Sequence, residues 1–108
     1  EVYILSGGDD AVSEFMKSNS TDRTGFLGYG GEKLPEGVTV LPYGGSSEEQ
    51  AENLFASLRR ADAAGCSEIY VRMPADTDGM GLAVYNRLLR AAAFRIIDAD
   101  GGSDALRK

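Results

Sequence analysis

Short apolar runs, partly β-branched, alternate along this chain with stretches of helical period, and that alternation most restricts its fold. Val2-Tyr3-Ile4-Leu5 runs into Ser6-Gly7-Gly8-Asp9, a buried strand entering a turn. Asp9 or Asp10 is expected to cap the next segment, where Val12, Phe15 and Met16 fall at i, i+3, i+4 on one helix face and Ser18-Asn19-Ser20 ends it. Residues 24–28 read as a second strand. Residues 38–41 read as a third, closed by Pro42. Ala51, Leu54, Phe55, Leu58 and Ala61 trace one face of a longer helix. Ser47 with Gln50 fits a capping box at its start, and Ser46 with Glu49 offers the same arrangement one residue earlier. The acids Glu48, Glu49 and Glu52 and the bases Arg59 and Arg60 suit its dipole, and Gly65 is a natural stop. Residues 68–73 read as a fourth strand, stopped by Pro74. Leu82, Tyr85, Leu88, Leu89 and Ala92 define a third helix capped by Thr77 or Asp78. Residues 94–97 read as a fifth strand and residues 98–108 as a frayed tail.

This order predicts a three-layer α/β domain with about five strands in a mostly parallel sheet and three helices. One connection resists. Only about ten residues separate strands two and three, with no helical period, whereas a parallel crossover normally takes a dozen or more. Either that pair is antiparallel, or the loop crosses the sheet edge to a non-adjacent position.

A length of 108 residues makes one domain, 1–108. With 43% hydrophobic and 26% charged residues it has enough apolar side chains for one core and no disordered composition. No apolar run approaches the roughly 18–20 residues that cross a bilayer. The chain starts at Glu1 and enters an apolar run directly, which reads as a domain excised from a longer protein. The net charge is −6. Residues 1–53 hold 10 acids and 3 bases, and residues 54–108 hold 7 acids and 8 bases. With three lysines and scattered arginines, direct nucleic-acid binding is not expected. There is no histidine, which removes Ser-His-Asp and Cys-His catalysis and imidazole metal sites. The single cysteine, Cys66, reads as a small buried hydrophobe.

Three glycine-rich turns follow strands: Gly7-Gly8, Gly28-Tyr29-Gly30-Gly31 and Tyr43-Gly44-Gly45. Gly44, Gly45, Ser46 and Ser47 lead straight into the longest helix, so they are the candidate anion-binding turn. None of the turns matches a dinucleotide or phosphate-loop fingerprint; Gly31-Glu32-Lys33 has an acid where a phosphate loop needs glycine. A tight turn is the simpler reading. Asp76-Thr77-Asp78-Gly79 resembles a fragment of a calcium loop but lacks the downstream glutamate, and helix capping explains it better. Asn86 and Arg87 are polar residues on an otherwise apolar helix. A solvated face explains them most simply; contact with a partner domain is the sharper alternative.

Taken as a set, Asn53-Leu54-Phe55 through Leu58-Arg59, Ile69-Tyr70-Val71, and Gly79-Met80-Gly81-Leu82-Ala83-Val84-Tyr85-Asn86-Arg87-Leu88 resemble the C-terminal domain of the two-domain threonylcarbamoyl-AMP synthases. The resemblance implies a Rossmann-like fold and a cytoplasmic parent enzyme. That enzyme uses threonine, bicarbonate and ATP, with Mg, to make threonylcarbamoyl-adenylate for the t6A modification of tRNA. It implies that the chemistry belongs to a YrdC-like catalytic domain acting as a partner in cis. This domain would then hold no cofactor and no catalytic residue, and would gate or position substrates. Gly79, Gly81, Asn86 and Arg87 are the positions expected to face that partner or a ligand, a guanidinium being suited to carboxylate or phosphate. A stand-alone nucleotide-binding module using the glycine turns is the alternative, and an unrelated protein-interaction domain is a third reading.

Overall fold

In the computed structural model, which describes residues 1–76 and 78–100, all five strands lie parallel in one sheet. The elements are β1 (Val2–Ser6), α1 (Asp9–Asn19), β2 (Thr24–Leu27), β3 (Thr39–Leu41), α2 (Ser47–Ala63), β4 (Glu68–Arg72), α3 (Met80–Ala91) and β5 (Ile96–Asp98). The sheet order is β3-β2-β4-β1-β5.

Alternation along each strand divides the core into two layers. Ile4, Leu27, Leu41, Ile69 and Val71 face Leu54 and Ala61 of α2 and Val84 and Leu88 of α3. Leu5, Phe26, Tyr70 and Ile97 face Val12 and Met16 of α1. On that second face Tyr70 stacks on Tyr3 at 5.4 Å and meets Phe15 edge-on at 5.3 Å. Burial pushes the Tyr70 hydroxyl up to about 12, with Glu68 and Tyr3 adding to the shift.

The second and third strands correct both sequence alternatives. β2 and β3 are adjacent and parallel, with Phe26 opposite Val40. Residues 28–38 make this crossover without a helix. The loop succeeds because Leu34 and Val38 pack into the α1 layer, so its own side chains cover the sheet where a helix otherwise would.

The caps of α1 and α3 differ from expectation, while α2 takes the second of its two offered arrangements, Ser46 with Glu49. Gly8, not Asp9 or Asp10, is the N-cap of α1 and makes no side-chain bond. In α2 the cap is Ser46, whose Oγ accepts from Glu49 N–H. Gln50 is freed from the expected capping box because it is buried and bridges two loops instead. Its Nε2 donates to Gly44 O at 2.8 Å and its Oε1 accepts from Ala75 N–H at 2.8 Å. Gly65, at φ +85°, follows α2 as expected. Gly79 (φ +55°), not Asp78, caps α3; Thr77 lies outside the described residues.

The fifth strand starts later than its apolar pattern suggests. Ala93 and Phe94 both take positive φ, which turns the chain out of α3 and leaves Phe94 exposed. The strand then reaches Asp98 and Ala99 is buried, so the sheet extends into residues assigned to the tail. Residues 101–108 lie outside the described residues. Cys66 is half-buried, packed at the rim of the core near Gly25.

Candidate functional site

β1 leads into α1 on one face of the sheet, and its neighbour β4 leads into α3 on the other. Adjacent strands whose connections leave on opposite faces open a crevice at their carboxyl ends, where open α/β sheets bind ligands. Arg72, the last residue of β4, stands in that crevice. Tyr70 lies on the α1 side, and period two puts Arg72 there as well.

The Arg72 side chain is 4% exposed and its charge is met at once by three elements. Nη1 donates to Asp9 Oδ1 at 2.5 Å and Glu32 Oε2 at 2.7 Å, and Nη2 donates to Gly7 O at 2.6 Å. The guanidinium carbon lies 4.0 Å from the centre of the Tyr29 ring. Burial pulls the Arg72 cation down, but the hydrogen bonds to Glu32 and Asp9 outweigh it, so the group is held charged more firmly than usual. Glu32 is 2% exposed. Burial pushes its carboxyl up. Arg72 and the amides of Tyr29 and Gly30 override that and hold it below the ordinary carboxylate range. Desolvation raises the Tyr29 hydroxyl against the opposing pull of Arg72.

The two Tyr-Gly-Gly turns play matching roles. The Tyr29 hydroxyl donates to Met73 O and the Tyr43 hydroxyl to Arg72 O, so both turns are pinned to the end of β4. Burial drives the Tyr43 hydroxyl well above its ordinary range. Each turn is closed by a glutamate of its own. Glu32 accepts from the Tyr29 and Gly30 amides; Glu49 accepts from Gly45 N–H at 3.1 Å and from Ser46 Oγ. The candidate anion-binding turn, Gly44 to Ser47, therefore carries a carboxylate already. Gly44 is at φ +108°, and a Cβ there would meet Glu49 at 2.6 Å. Ser47 Oγ donates to Asp76 Oδ2 at 3.2 Å, tying this turn to the loop before α3.

The other predicted residues lie elsewhere. Gly81 is buried, and any Cβ on it would overlap the Asp76 carbonyl oxygen, so its role in packing the α3 start against the preceding loop is clear. Gly79, Asn86 and Arg87 are exposed. The Arg87 guanidinium sits 5.7 Å from the Phe55 ring, at a shallow depression of about 120 Å³ that Ala51, Phe55, Met80 and Ala83 also line. The structure thus places Arg87 on the α2–α3 surface, apart from the Arg72 crevice. Sequence reasoning missed Arg72, Asp9 and Glu32 as a group. Their only signal was a charged residue at the end of an apolar strand and an acid inside a glycine turn.

A larger cavity of about 380 Å³ adjoins the 28–32 loop, lined by Gly28, Tyr29, Glu32, Leu34, Val40 and Pro42 among others. Among the described residues, no cluster of three or more His, Cys, Asp or Glu side chains is arranged to hold a metal ion, and no helix is long and apolar enough to cross a membrane.

Comparison with known proteins agrees with this architecture. The family model described as "Threonylcarbamoyl-AMP synthase, C-terminal domain" matches residues 1–93. The curated threonylcarbamoyl-AMP synthase of Pyrococcus abyssi is 33% identical over 103 residues, covering 90% of this chain and 29% of that protein. This chain therefore spans under a third of that relative's length. A solved double-alanine variant of P. abyssi Sua5 matches with a TM-score of 0.69 at 30% identity, over 91% of this chain and 29% of that one. P. abyssi Sua5 complexed with L-threonine matches at 0.65 and 28%, with the same coverage. The C-terminal Sua5 domain from Pyrococcus horikoshii matches at 0.66 and 29%, over 91% of this chain and 95% of that one. With the family model spanning most of its length, this chain belongs to the threonylcarbamoyl-AMP synthase C-terminal domain family.

Proposed function

We propose that this domain serves as the accessory domain of a threonylcarbamoyl-AMP synthase, acting in cis on a YrdC-like catalytic domain. That partner would convert threonine, bicarbonate and ATP into the adenylate used for t6A modification of tRNA. The observation that carries the reading is the family match over residues 1–93. The side-chain inventory supports a helper role: no histidine in the chain, and a crevice whose buried cation, Arg72, is closed by the chain's own carboxylates. ATP and magnesium are assigned to the catalytic domain. The outer side of α3, with Gly79 exposed at its cap and Asn86 and Arg87 exposed along the helix, is the surface we assign to the partner. The acidic first half favours docking on a basic neighbour.

The alternative, a stand-alone nucleotide module, is less well supported. Glu32 and Glu49 occupy the very amides that a phosphate chain would use, and a polyphosphate would add its charge beside Asp9, Glu32 and Glu49. The test is kinetic and uses the full two-domain protein. Arg87→Ala, or removal of this domain, is expected to change kcat or a substrate KM by about fivefold or more, the lower end of ordinary coupling between sites. Unchanged constants with an intact catalytic domain would remove the reading.

A further inference from the structure

The 28–32 loop holds a carboxylate of its own chain where the surroundings would suit a free one. Glu32 Oε2 accepts from Tyr29 N–H at 2.8 Å and from Arg72 Nη1 at 2.7 Å, while Oε1 accepts from Gly30 N–H at 3.0 Å. One guanidinium and two consecutive backbone amides are the donors with which proteins commonly recognise an anionic ligand. The loop is shaped closely around this group, since a Cβ on Gly28 would stand 2.7 Å from both Glu32 carboxylate oxygens. Among the described residues, Arg72 Nε is buried without a hydrogen-bond partner, a state that native proteins rarely keep. The same loop lines the cavity of about 380 Å³, within the ordinary range for small-molecule sites. Gly28, Tyr29, Gly30 and Glu32 form one wall, and Leu34, Val40 and Pro42 give it an apolar side. Glu32 therefore both bonds the buried Arg72 cation and lines a roomy cavity.

We propose that the Arg72 crevice and this cavity form one binding site for a small organic carboxylate, which takes the place of Glu32 on the Tyr29 and Gly30 amides and on Arg72. The apolar body of the ligand lies against Leu34, Val40 and Pro42. The charge balance selects a carboxylate over a phosphate. Asp9 stays on Arg72, so that pair is neutral once Glu32 withdraws. An incoming carboxylate restores the single negative charge that Glu32 carried, whereas a phosphate dianion adds a second beside Asp9. Glu32 competes with the ligand, so the apparent affinity is reduced by the fraction of molecules in which Glu32 is withdrawn. This inference does not rest on the role in cis, and either can fail alone.

The test is a titration of the isotopically labelled chain at neutral pH and constant ionic strength, following the Tyr29 and Gly30 amide resonances. The probes are sodium hexanoate, sodium acetate and inorganic phosphate. Hexanoate is expected to shift both amides saturably and more tightly than acetate, and phosphate is expected to give no saturable shift. Glu32→Ala removes the competitor and is expected to tighten hexanoate binding roughly tenfold or more, set by how seldom Glu32 withdraws. Glu32→Gln, which keeps the size of the side chain and removes its charge, is expected to tighten it as well and stands in if Glu32→Ala does not fold. Absence of a saturable hexanoate shift in the unaltered chain up to roughly 100 mM, a range that reaches even very weak affinities, overturns the site. Equal binding of phosphate overturns the carboxylate assignment, and weaker hexanoate binding by a folded Glu32 variant overturns the displacement.

Discussion

Replacing Arg72 with methionine tests the physical heart of this fold. The substitution keeps much of the aliphatic volume and removes the guanidinium, leaving Glu32 at 2% exposure with its two amide bonds but no cation. Gly7 O loses its donor and the Tyr29 ring loses the cation above it. Asp9, at 57% exposure, turns to water and contributes little to the loss. Breaking a buried ion pair on one side costs about 3–5 kcal/mol, against about 5–15 kcal/mol for the stability of a whole domain. At about 4–8 °C per kcal/mol for a domain near this size, the melting temperature should fall by at least about 12 °C. Urea unfolding followed by circular dichroism measures the loss. Adding Glu32→Gln to Arg72→Met should recover part of it, although Glu32→Gln alone should destabilise the unaltered chain. A loss below about 1 kcal/mol, or strictly additive effects of the two substitutions, would refute the claim that this pair is a coupled, buried unit.

The same pair predicts a pH dependence. The folded-state value of Glu32 is depressed, so its contribution is present above the unfolded carboxylate value of 4.5 and is lost as pH falls through the lower folded value. Without Arg72 the buried carboxyl is raised instead, so the stability gap between the protein and Arg72→Met should narrow as pH falls from 7 towards 4 in chemical denaturation. At the alkaline end, Tyr70 is raised to about 12 from 10.0, so stability should be lost as pH climbs from 10 towards 12, and Tyr70→Phe should flatten that decline. Ser46→Ala should cost about 1 kcal/mol through the lost α2 cap, and Ser47→Ala clearly less, as read by thermal melting. Gly81→Ala should be among the most damaging small substitutions, because its methyl group meets backbone at Asp76; a melting temperature within a few degrees of the unaltered chain would contradict the packing.

Much of the fold was legible because periodicity and glycine punctuation agree. α2 shows its apolar stripe and a terminating Gly65 in the sequence itself, and all five strands appear as short apolar runs. The β2–β3 crossover was not legible. Leu34 and Val38 do the covering normally given to a helix, and two isolated apolar residues in a loop carry no period. The choice of Ser46 over Ser47 as cap was hidden for a related reason, since the tertiary position of Gln50 decides it. The crevice was harder still. Asp9, Glu32 and Arg72 lie far apart in sequence, and only the parallel pairing of β4 between β1 and β2 brings their loops together. The echo between Tyr29-Gly30-Gly31 and Tyr43-Gly44-Gly45 was visible as letters. Its meaning, two tyrosine hydroxyls pinned to consecutive carbonyls at the end of β4, belongs to three dimensions.

In the proposed role this domain assists a neighbouring active site and has no turnover of its own. That role is tested most directly by incubating the purified chain with threonine, bicarbonate, ATP and magnesium and measuring pyrophosphate release together with threonylcarbamoyl-adenylate. No product above the protein-free control is expected. Steady formation of the adenylate in proportion to the amount of this chain would contradict it.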